Sequence, residues 1–276
     1  MKRLLLLFVA ITMTTLMVSA QYADPFLTDE MRPDGIQWLP KPPSELSGEF
    51  YNDYFYYTWG KSMREKMGEL ALWDEAAELY QVYSESIGIE LSPENTPEII
   101  KLASGATSDA SAAKKKVSNF YQRRRPFVTF GEPSLIPEKD EEVSQSYSFP
   151  SGHATYGWMY ALVLCTVAPE RTEAILEQAR QFALSRVICG HHWKSDVDAG
   201  FILSTGVFTN VVVSEAYQQQ LQKARSEYKR IKESTGIEAH KQSSQERTSL
   251  YHLDGSPATE SSHGIVVRQG SKSLKP

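Results

Sequence analysis

The feature that most constrains the fold is the stretch Ala154–Val167, which carries large apolar side chains all around a helical projection. A helix that is hydrophobic on every side offers no face to solvent, so it must lie inside a protein or a membrane. This stretch is too short to span a bilayer comfortably and ends before Pro169. We therefore predict a central helix surrounded by other helices.

Helical patterns dominate the remaining chain, and strand patterns are nearly absent. Ser47 opens a helical stretch whose aromatic stripe we interpret as core packing (Phe50, Tyr51, Tyr54, Phe55, Tyr57). Further helical patterns lie near 70–87, 97–104 and 108–124, in the amphipathic Thr172–Leu184, and in Ala199–Val213, where Gly200, Ser204 and Gly206 permit close packing. The sequence predicts an all-α protein with one helical bundle.

Composition divides the chain into four segments. Lys2 and Arg3 precede an apolar stretch that ends in the small residues Val18-Ser19-Ala20, the layout of a secretory signal rather than of a membrane anchor. We predict cleavage after Ala20 and a periplasmic or secreted location. The segments are a signal peptide (1–20), an extended Pro-rich arm (21–46), the helical domain that holds the candidate catalytic site (47–228) and a polar, disordered tail (229–276).

The charge balance excludes some partners. The full chain has 29 Lys and Arg against 34 Asp and Glu, and loss of Lys2 and Arg3 with the signal makes it more acidic still. A mildly acidic chain without a long basic block argues against a nucleic-acid partner. We also expect no stable membrane insertion after signal cleavage, while homo-oligomer formation stays open. Cys165 and Cys189 are compatible with a disulfide or with two buried thiols.

Two histidine motifs flank the apolar helices. Pro150-Ser151-Gly152-His153 stands where a loop turns into the buried helix, and the free N–H groups of a helix start can bind an anion. The plain alternative is a helix N-cap by Ser151, which leaves the Gly-His pair unexplained. The second motif runs from Ser185-Arg186 to His192 and Asp196.

In the second motif Gly190 breaks the helix, so His192 can stand at the start of the next one. Asp196 follows four residues later, and we expect its carboxylate to accept a hydrogen bond from one ring nitrogen of His192. A histidine held by a carboxylate in this way can act as a nucleophile or a general base. A third, basic cluster is Arg123-Arg124-Arg125-Pro126, which alone is typical of a solvated helix end.

Together the three clusters resemble the signature of the type 2 phosphatidic acid phosphatase superfamily, Lys-x6-Arg-Pro, Pro-Ser-Gly-His and Ser-Arg-x5-His-x3-Asp. Residues 35–228 also look like the soluble bacterial class A acid phosphatases, in the Trp-Leu-Pro-x-Pro-Pro arm and around Ser151 to Pro169 and Ser185 to Ala199. The resemblance implies a single-domain helical bundle of the acid phosphatase and vanadium haloperoxidase type. It also implies that the substrates are small phosphate monoesters and that the enzyme requires no metal or other cofactor.

The same resemblance implies roles for individual residues. His192 attacks phosphorus to form a phosphohistidine, and His153 protonates the leaving oxygen and then activates water. Asp196 completes the catalytic group, and the phosphate is held by Arg125, Arg186, Ser151 and Gly152.

The first block departs from the family pattern. The Lys expected seven residues before Arg125 is Ser118 in this chain. Lys114 lies one helical turn earlier on nearly the same face, and Lys116 stands seven residues before Arg123. At this point it stays open whether Lys114, Lys116 or Arg123 supplies the missing cation, or whether none of them does.

Four other functions are compatible with parts of the sequence. A vanadium-dependent haloperoxidase shares the anion pocket, and a membrane lipid phosphatase shares the motifs but needs spanning helices. A metal-binding module would use His191, His192, Asp196 and Asp198, and it leaves the arginines without a role. A non-catalytic phosphate-binding protein is compatible with the loss of the Lys at Ser118.

Overall fold

The computed structural model describes residues 24–234 and the backbone of three short segments beyond them. The helices are α1 (Gly35–Trp38), α2 (Phe50–Ala76), α3 (Leu79–Ile87), α4 (Pro97–Tyr121), α5 (Pro126–Phe130), α6 (Asp140–Ser144), α7 (Gly152–Val167), α8 (Thr172–Cys189), α9 (Lys194–Val211) and α10 (Glu215–Ser234). Short 3₁₀ turns span Pro137–Lys139 and Pro169–Arg171. The predicted all-α bundle is confirmed for residues 24–234, whose regular elements are all helical.

The predicted central helix is α7, which contacts α4, α8 and α9. Met159, Ala161 and Leu164 of α7 are fully buried. Helix α9 approaches closely because Gly200 has no side chain, since a Cβ there would lie 3.0 Å from the Cβ of Ala154. Against another face of the bundle, α2 packs along α8. These contacts bring the N-termini of α7 and α9 and the C-terminus of α8 to one end of the bundle.

Helix α2 buries a different face from the one that the sequence predicted. Its buried positions recur every three or four residues and include Tyr57, Gly60, Met63, Met67 and Ala71. Of the predicted aromatic stripe only Tyr57 is buried, whereas Tyr51, Tyr54 and Phe55 are exposed. The core-packing interpretation is therefore wrong for these three aromatics, because the face of α2 against α8 is set by the small and flexible side chains.

Two predicted helix boundaries also differ. The pattern near 70–87 is broken at Ala77 and Glu78, between α2 and α3, and the patterns near 97–104 and 108–124 are one continuous helix. At the start of α4, the Glu227 carboxylate of α10 accepts hydrogen bonds from the backbone N–H of Glu98 (3.1 Å) and of Ile99 (3.0 Å). This contact ties α10 to the bundle through otherwise free helix-end donors.

The arm before α2 lies over the domain and includes the short helix α1. Buried Asp109 of α4 accepts hydrogen bonds from the backbone of Phe26 (2.8 Å) and from the Nε of Arg32 (2.9 Å). The Trp38 ring covers Gly206, where a Cβ would displace the ring. Cys165 and Cys189 are both free thiols.

Short helices order the chain between α4 and α7. This segment contains α5 and α6, and its Asp140 accepts a hydrogen bond from the backbone N–H of Ser134 (3.0 Å). Helix α10 continues six residues into the predicted disordered tail, and Ile231 packs against the core.

The tail also contains a small antiparallel sheet with strand order β2-β1-β3, formed by β1 (Leu250–His252), β2 (Pro257–Ala258) and β3 (Val266–Arg268). Leu250 pairs with Ala258 and with Arg268. The predicted signal peptide lies outside the described residues. Within the described part of the chain no single helix is long and apolar enough to cross a membrane, and only α9 and α10 together, bent by 96°, meet that criterion.

Candidate active site

The candidate site lies where α7 and α9 begin and α8 ends. His192 stands in the turn between α8 and α9, which begins at Gly190 with the positive φ of 83° that favours glycine. Arg186 comes from the last turn of α8, His153 from the first turn of α7, and Arg125 caps the N-terminus of α5. Segments far apart in sequence thus bring the predicted histidines and arginines together in one cluster.

The two ring nitrogens of buried His192 have different surroundings. Nδ1 lies 2.8 Å from the carbonyl oxygen of Ser148, and Nε2 lies 3.1 Å from Nη1 of Arg125. Since a carbonyl only accepts and a guanidinium only donates, Nδ1 carries the proton and Nε2 presents a lone pair. Burial and the charges of Arg125 and Arg186 hold the pKa of His192 well below its usual 6.5, so the ring stays neutral in mild acid.

The predicted hydrogen bond from His192 to Asp196 is wrong. The closest Asp196 oxygen, Oδ2, lies 3.6 Å from Nδ1 and instead accepts the backbone N–H of Trp193 at 2.9 Å. The reason is local, because His192 precedes α9 and the spacing of a regular helix does not apply between it and Asp196. The carboxylate caps α9 and stays next to the imidazole without bonding to it.

The other oxygen of Asp196 binds Arg123. Arg123 Nη1 donates to Asp196 Oδ1 at 2.6 Å, and its Nη2 donates to Asp53 Oδ2 at 2.7 Å. Asp53 also accepts the backbone N–H of Ser195 at 2.8 Å. Asp53 and Asp196 are both fully buried, so Arg123 is the shared cation of a buried ionic network.

The backbone of Arg123 positions the acceptor of His192. The carbonyl of Arg123 accepts the backbone N–H of Ser148 at 2.9 Å, and the Ser148 hydroxyl donates to the carbonyl of Arg124 at 3.1 Å. Ser148 is fully buried, and its own carbonyl is the one that receives His192 Nδ1. The sequence did not predict the role of Ser148, because the contact uses its backbone carbonyl, which every residue type has.

Arg125 is buried and joins several parts of the site. Besides His192, its Nη1 donates to the carbonyl of His191 at 2.9 Å, and its Nη2 donates to the Ser146 hydroxyl at 2.9 Å. Burial lowers the pKa of Arg125 to about 10, which leaves the guanidinium charged at any pH of interest. A fixed cation therefore stands directly beside Nε2 of His192.

Arg186 is almost fully buried, and one of its donors has no acceptor. Nη2 lies 2.8 Å from Nδ1 of His191 and 2.6 Å from Oε2 of Glu75. Nε has no hydrogen-bond partner within the described part of the chain. A buried, unpaired N–H on a charged group is costly, so this donor marks where an anionic oxygen fits.

His191 bonds to Arg186. Its Nδ1 accepts from Arg186, and its Nε2 donates to the Ser134 hydroxyl at 3.1 Å. Burial, followed by the charge of Arg186, lowers the pKa of His191 to about 2, so the ring is neutral. His191 thus holds one edge of the Arg186 guanidinium.

His153 faces the pocket with 32% of its side chain exposed. Its Nε2 lies 3.5 Å from Oε2 of Glu75, and its ring packs against Phe182. Desolvation in the pocket and the charge of Arg186 hold the pKa of His153 well below 6.5. The sequence motifs predicted His153 but not Glu75, which lies in the last turn of α2.

Ser151 and Gly152 begin α7 as the motif predicted. The Ser151 hydroxyl accepts the backbone N–H of Ala154 at 3.4 Å, so Ser151 is a helix N-cap. Its own N–H donates to the backbone carbonyl of Asp196 at 2.9 Å, which fixes α7 against α9. A Cβ at Gly152 would touch the Tyr156 ring at 3.4 Å, and the residue itself is half-buried.

The three candidate substitute cations have different environments. Lys116 is exposed and pairs with Asp34 at 2.9 Å, and Arg123 is engaged by two aspartates. Lys114 is half-buried; desolvation and the charge of Arg125 lower its pKa, and its own charge lowers the pKa of His192. Lys114 is therefore the candidate whose charge acts on the site.

The proposed metal ligands do not converge. The carboxylate of Asp198 is half exposed and pairs with Lys194 at 2.5 Å, whereas His191 faces Arg186. Within the described part of the chain, no group of three His, Cys, Asp or Glu side chains is placed to hold a metal ion.

Comparison with known proteins identifies the family. A family model described as the PAP2 superfamily matches residues 100–220. Two proteins named non-specific acid phosphatase are similar: one from Providencia stuartii (35% identical, covering 75% of this chain and 86% of the relative) and one from Salmonella typhimurium (33%, covering 76% and 86%). A protein named acid phosphatase from Zymomonas mobilis is 29% identical over 77% of this chain and 82% of the relative.

The extent and identity of these matches agree with the motifs and with the helical fold. The chain belongs to the PAP2 superfamily and, within it, to the class A acid phosphatases.

Proposed function

We propose that this protein is an acid phosphatase that hydrolyses phosphate monoesters through a phosphohistidine on His192, after secretion to the periplasm or beyond. The observation that carries the mechanism is the pair of contacts of the His192 ring. Nδ1 donates to the Ser148 carbonyl, and Nε2 keeps its lone pair towards Arg125. A neutral imidazole held in this tautomer is a ready nucleophile.

The cations around His192 suit a phosphoryl group. The transition state of phosphoryl transfer spreads charge over three oxygens, which planar guanidinium groups can receive in pairs. Arg125 would exchange its contact with Nε2 for a phosphate oxygen, and the unpaired Nε of Arg186 would receive another. Lys114 adds positive charge, and the N-terminus of α7 at Gly152 adds backbone N–H donors.

In the first step Nε2 of His192 attacks phosphorus, the ester P–O bond breaks, and the leaving oxygen takes the proton of His153. In the second step neutral His153 removes a proton from water. The water oxygen attacks phosphorus, the P–N bond breaks, and inorganic phosphate leaves with His192 restored.

The same charges explain activity in acid. The pKa of His192 is held low, so the nucleophile stays unprotonated when the solution is acidic. His153 must carry a proton in the first step, although its pKa is low in the free site. A bound phosphate dianion neutralises Arg186 and Arg125, and this raises the pKa of His153 when the proton is needed.

Substrates with different leaving groups test this assignment. His153→Ala should lower kcat/KM for alkyl phosphates at least tenfold more than for aryl phosphates, because kcat/KM reports the transfer to His192 before water attacks, and a good leaving group needs little protonation in that step. His240→Ala, in the polar tail, is the matched control and should change neither rate. An equal loss on both substrate classes would remove His153 from the general-acid role.

A further inference from the structure

Glu75 places a carboxylate inside the group of cations that the proposed function assigns to phosphate. Its Oε2 lies 2.6 Å from Nη2 of Arg186 and 3.5 Å from Nε2 of His153. Its Oε1 accepts a hydrogen bond from Lys139 at 3.1 Å. The carboxylate is largely buried, whereas the Lys139 side chain is 43% exposed. One anionic side chain thus spans from the pocket to its rim.

The contact between Glu75 and Arg186 is incomplete. Nε and Nη2 lie on one edge of a guanidinium and together bind two oxygens of one anion. Nη2 of Arg186 contacts both Glu75 and His191, whereas Nε has no partner within the described part of the chain. The Glu75 oxygen, for its part, makes no well-aligned hydrogen bond despite the short distance. A tetrahedral anion with several oxygens would satisfy this edge better than Glu75 does.

We propose that Glu75 is an internal competitor for the phosphate site, which the phosphate group of the substrate displaces from Arg186 towards Lys139. This inference rests on the proposed function, because it requires a phosphate group next to Arg186. The carboxylate balances the charge of Arg186 before phosphate binds, and it sets the affinity for phosphate because two anions cannot share one guanidinium without strong repulsion. Glu75 is therefore a residue that determines affinity, with no proton or bond to transfer.

Lys139 gives the displaced carboxylate a second position. It already holds Oε1, and it lies in the 3₁₀ turn before α6, outside the arginine and histidine cluster. Glu75 can leave Arg186 and keep this partner. Without Lys139 the carboxylate would have only the pocket cations to bind, and it would compete with phosphate more strongly.

The inhibition constant of inorganic phosphate, measured against an aryl phosphate substrate, tests the inference. Glu75→Gln should lower this constant about tenfold and lower KM in parallel, since the neutral amide no longer competes with the dianion. Glu233→Gln, which removes one exposed carboxylate at the end of α10, is the matched control and should leave both constants unchanged. If Glu75 instead orients Arg186 permanently, Glu75→Gln weakens phosphate binding; that result, or no change, overturns the inference.

A double-mutant cycle separates Lys139 from direct phosphate binding. Lys139→Met should weaken phosphate inhibition in the native background and have no effect in the Glu75→Gln background. Equal weakening in both backgrounds would show that Lys139 acts on phosphate itself and would refute the displacement. Thermal unfolding of each variant verifies the fold, and Glu75→Asp, which keeps the charge on a shorter side chain, should give an intermediate constant. A native enzyme that is folded but neither hydrolyses the ester nor binds phosphate would refute the proposed function itself.

Discussion

Replacement of Arg123 by methionine should destabilise the protein by about 3–5 kcal/mol, the usual effect of removing one partner from a buried ionic group. The structure sets this magnitude, because the Arg123 side chain is only 10% exposed and its partners Asp53 and Asp196 are fully buried. Without the guanidinium, Asp53 and Asp196 stay buried, and each loses the hydrogen bond that Arg123 donates to it. Urea unfolding at pH 7, followed by circular dichroism, measures the loss.

Two further variants define what the measurement means. Arg124→Met changes the adjacent, exposed arginine, which contributes only its backbone to the site, and it should cost less than about 0.5 kcal/mol. Asp53→Asn combined with Arg123→Met should recover part of the loss, because one stranded carboxylate is neutralised. A loss below 1 kcal/mol for Arg123→Met, with phosphate inhibition weakened instead, would refute the network and make Arg123 the substitute cation.

Three other predictions follow from the same contacts. Lys114→Ala should weaken phosphate inhibition about tenfold or more, since a charge-assisted contact is worth about 1.5–3 kcal/mol, whereas Ser118→Lys should add little; no shift in either variant would exclude a cation here. The fold lowers the pKa of His191 to about 2, so below about pH 6.5 this residue takes up a proton only in the unfolded chain. The free energy of unfolding should therefore fall, on account of His191, by about 1.4 kcal/mol for each unit by which the pH is lowered. Urea unfolding at pH 7 and pH 4.5 should therefore show a smaller acid loss for His191→Gln, and an unchanged loss would contradict the assignment. Truncation after Ser234 should leave the melting temperature unchanged, while truncation after Tyr228 should lower it, because the residues between them pack on the bundle; equal melting temperatures would contradict this.

The sequence predicted those parts of the fold that depend on local pattern. The all-apolar stretch correctly indicated the buried helix α7, and Gly190 correctly marked the end of α8. The sequence pattern failed for the aromatic stripe of α2, because hydrophobicity alone does not say which face of a helix packs against its neighbour. That face depends on close approach to α8, which Gly60 permits and Tyr51 or Tyr54 would prevent.

In the site, too, local motifs were predictable from the sequence and contacts between distant segments were not. The motifs named the histidines and arginines because those residue types carry the chemistry at fixed spacing. Glu75, Asp53 and Ser148 come from segments with no motif, and only the packing of α2 and of the turn before α7 brings them into contact with Arg186, Arg123 and His192. The spacing rule that assigned Asp196 to His192 assumed that the helix begins at His192, whereas α9 begins at Lys194 and leaves His192 in the preceding turn.

The most direct test of the central claim is to trap the phosphorylated enzyme. His153→Ala mixed with an aryl phosphate and quenched in alkali within milliseconds should accumulate a base-stable, acid-labile phosphoryl group, because attack still proceeds while water activation is lost. Peptide mass spectrometry should locate the phosphoryl group on His192, and the double variant with His192→Ala should show none. A phosphoryl group on another residue, or turnover by His192→Ala at the native rate, would contradict the account.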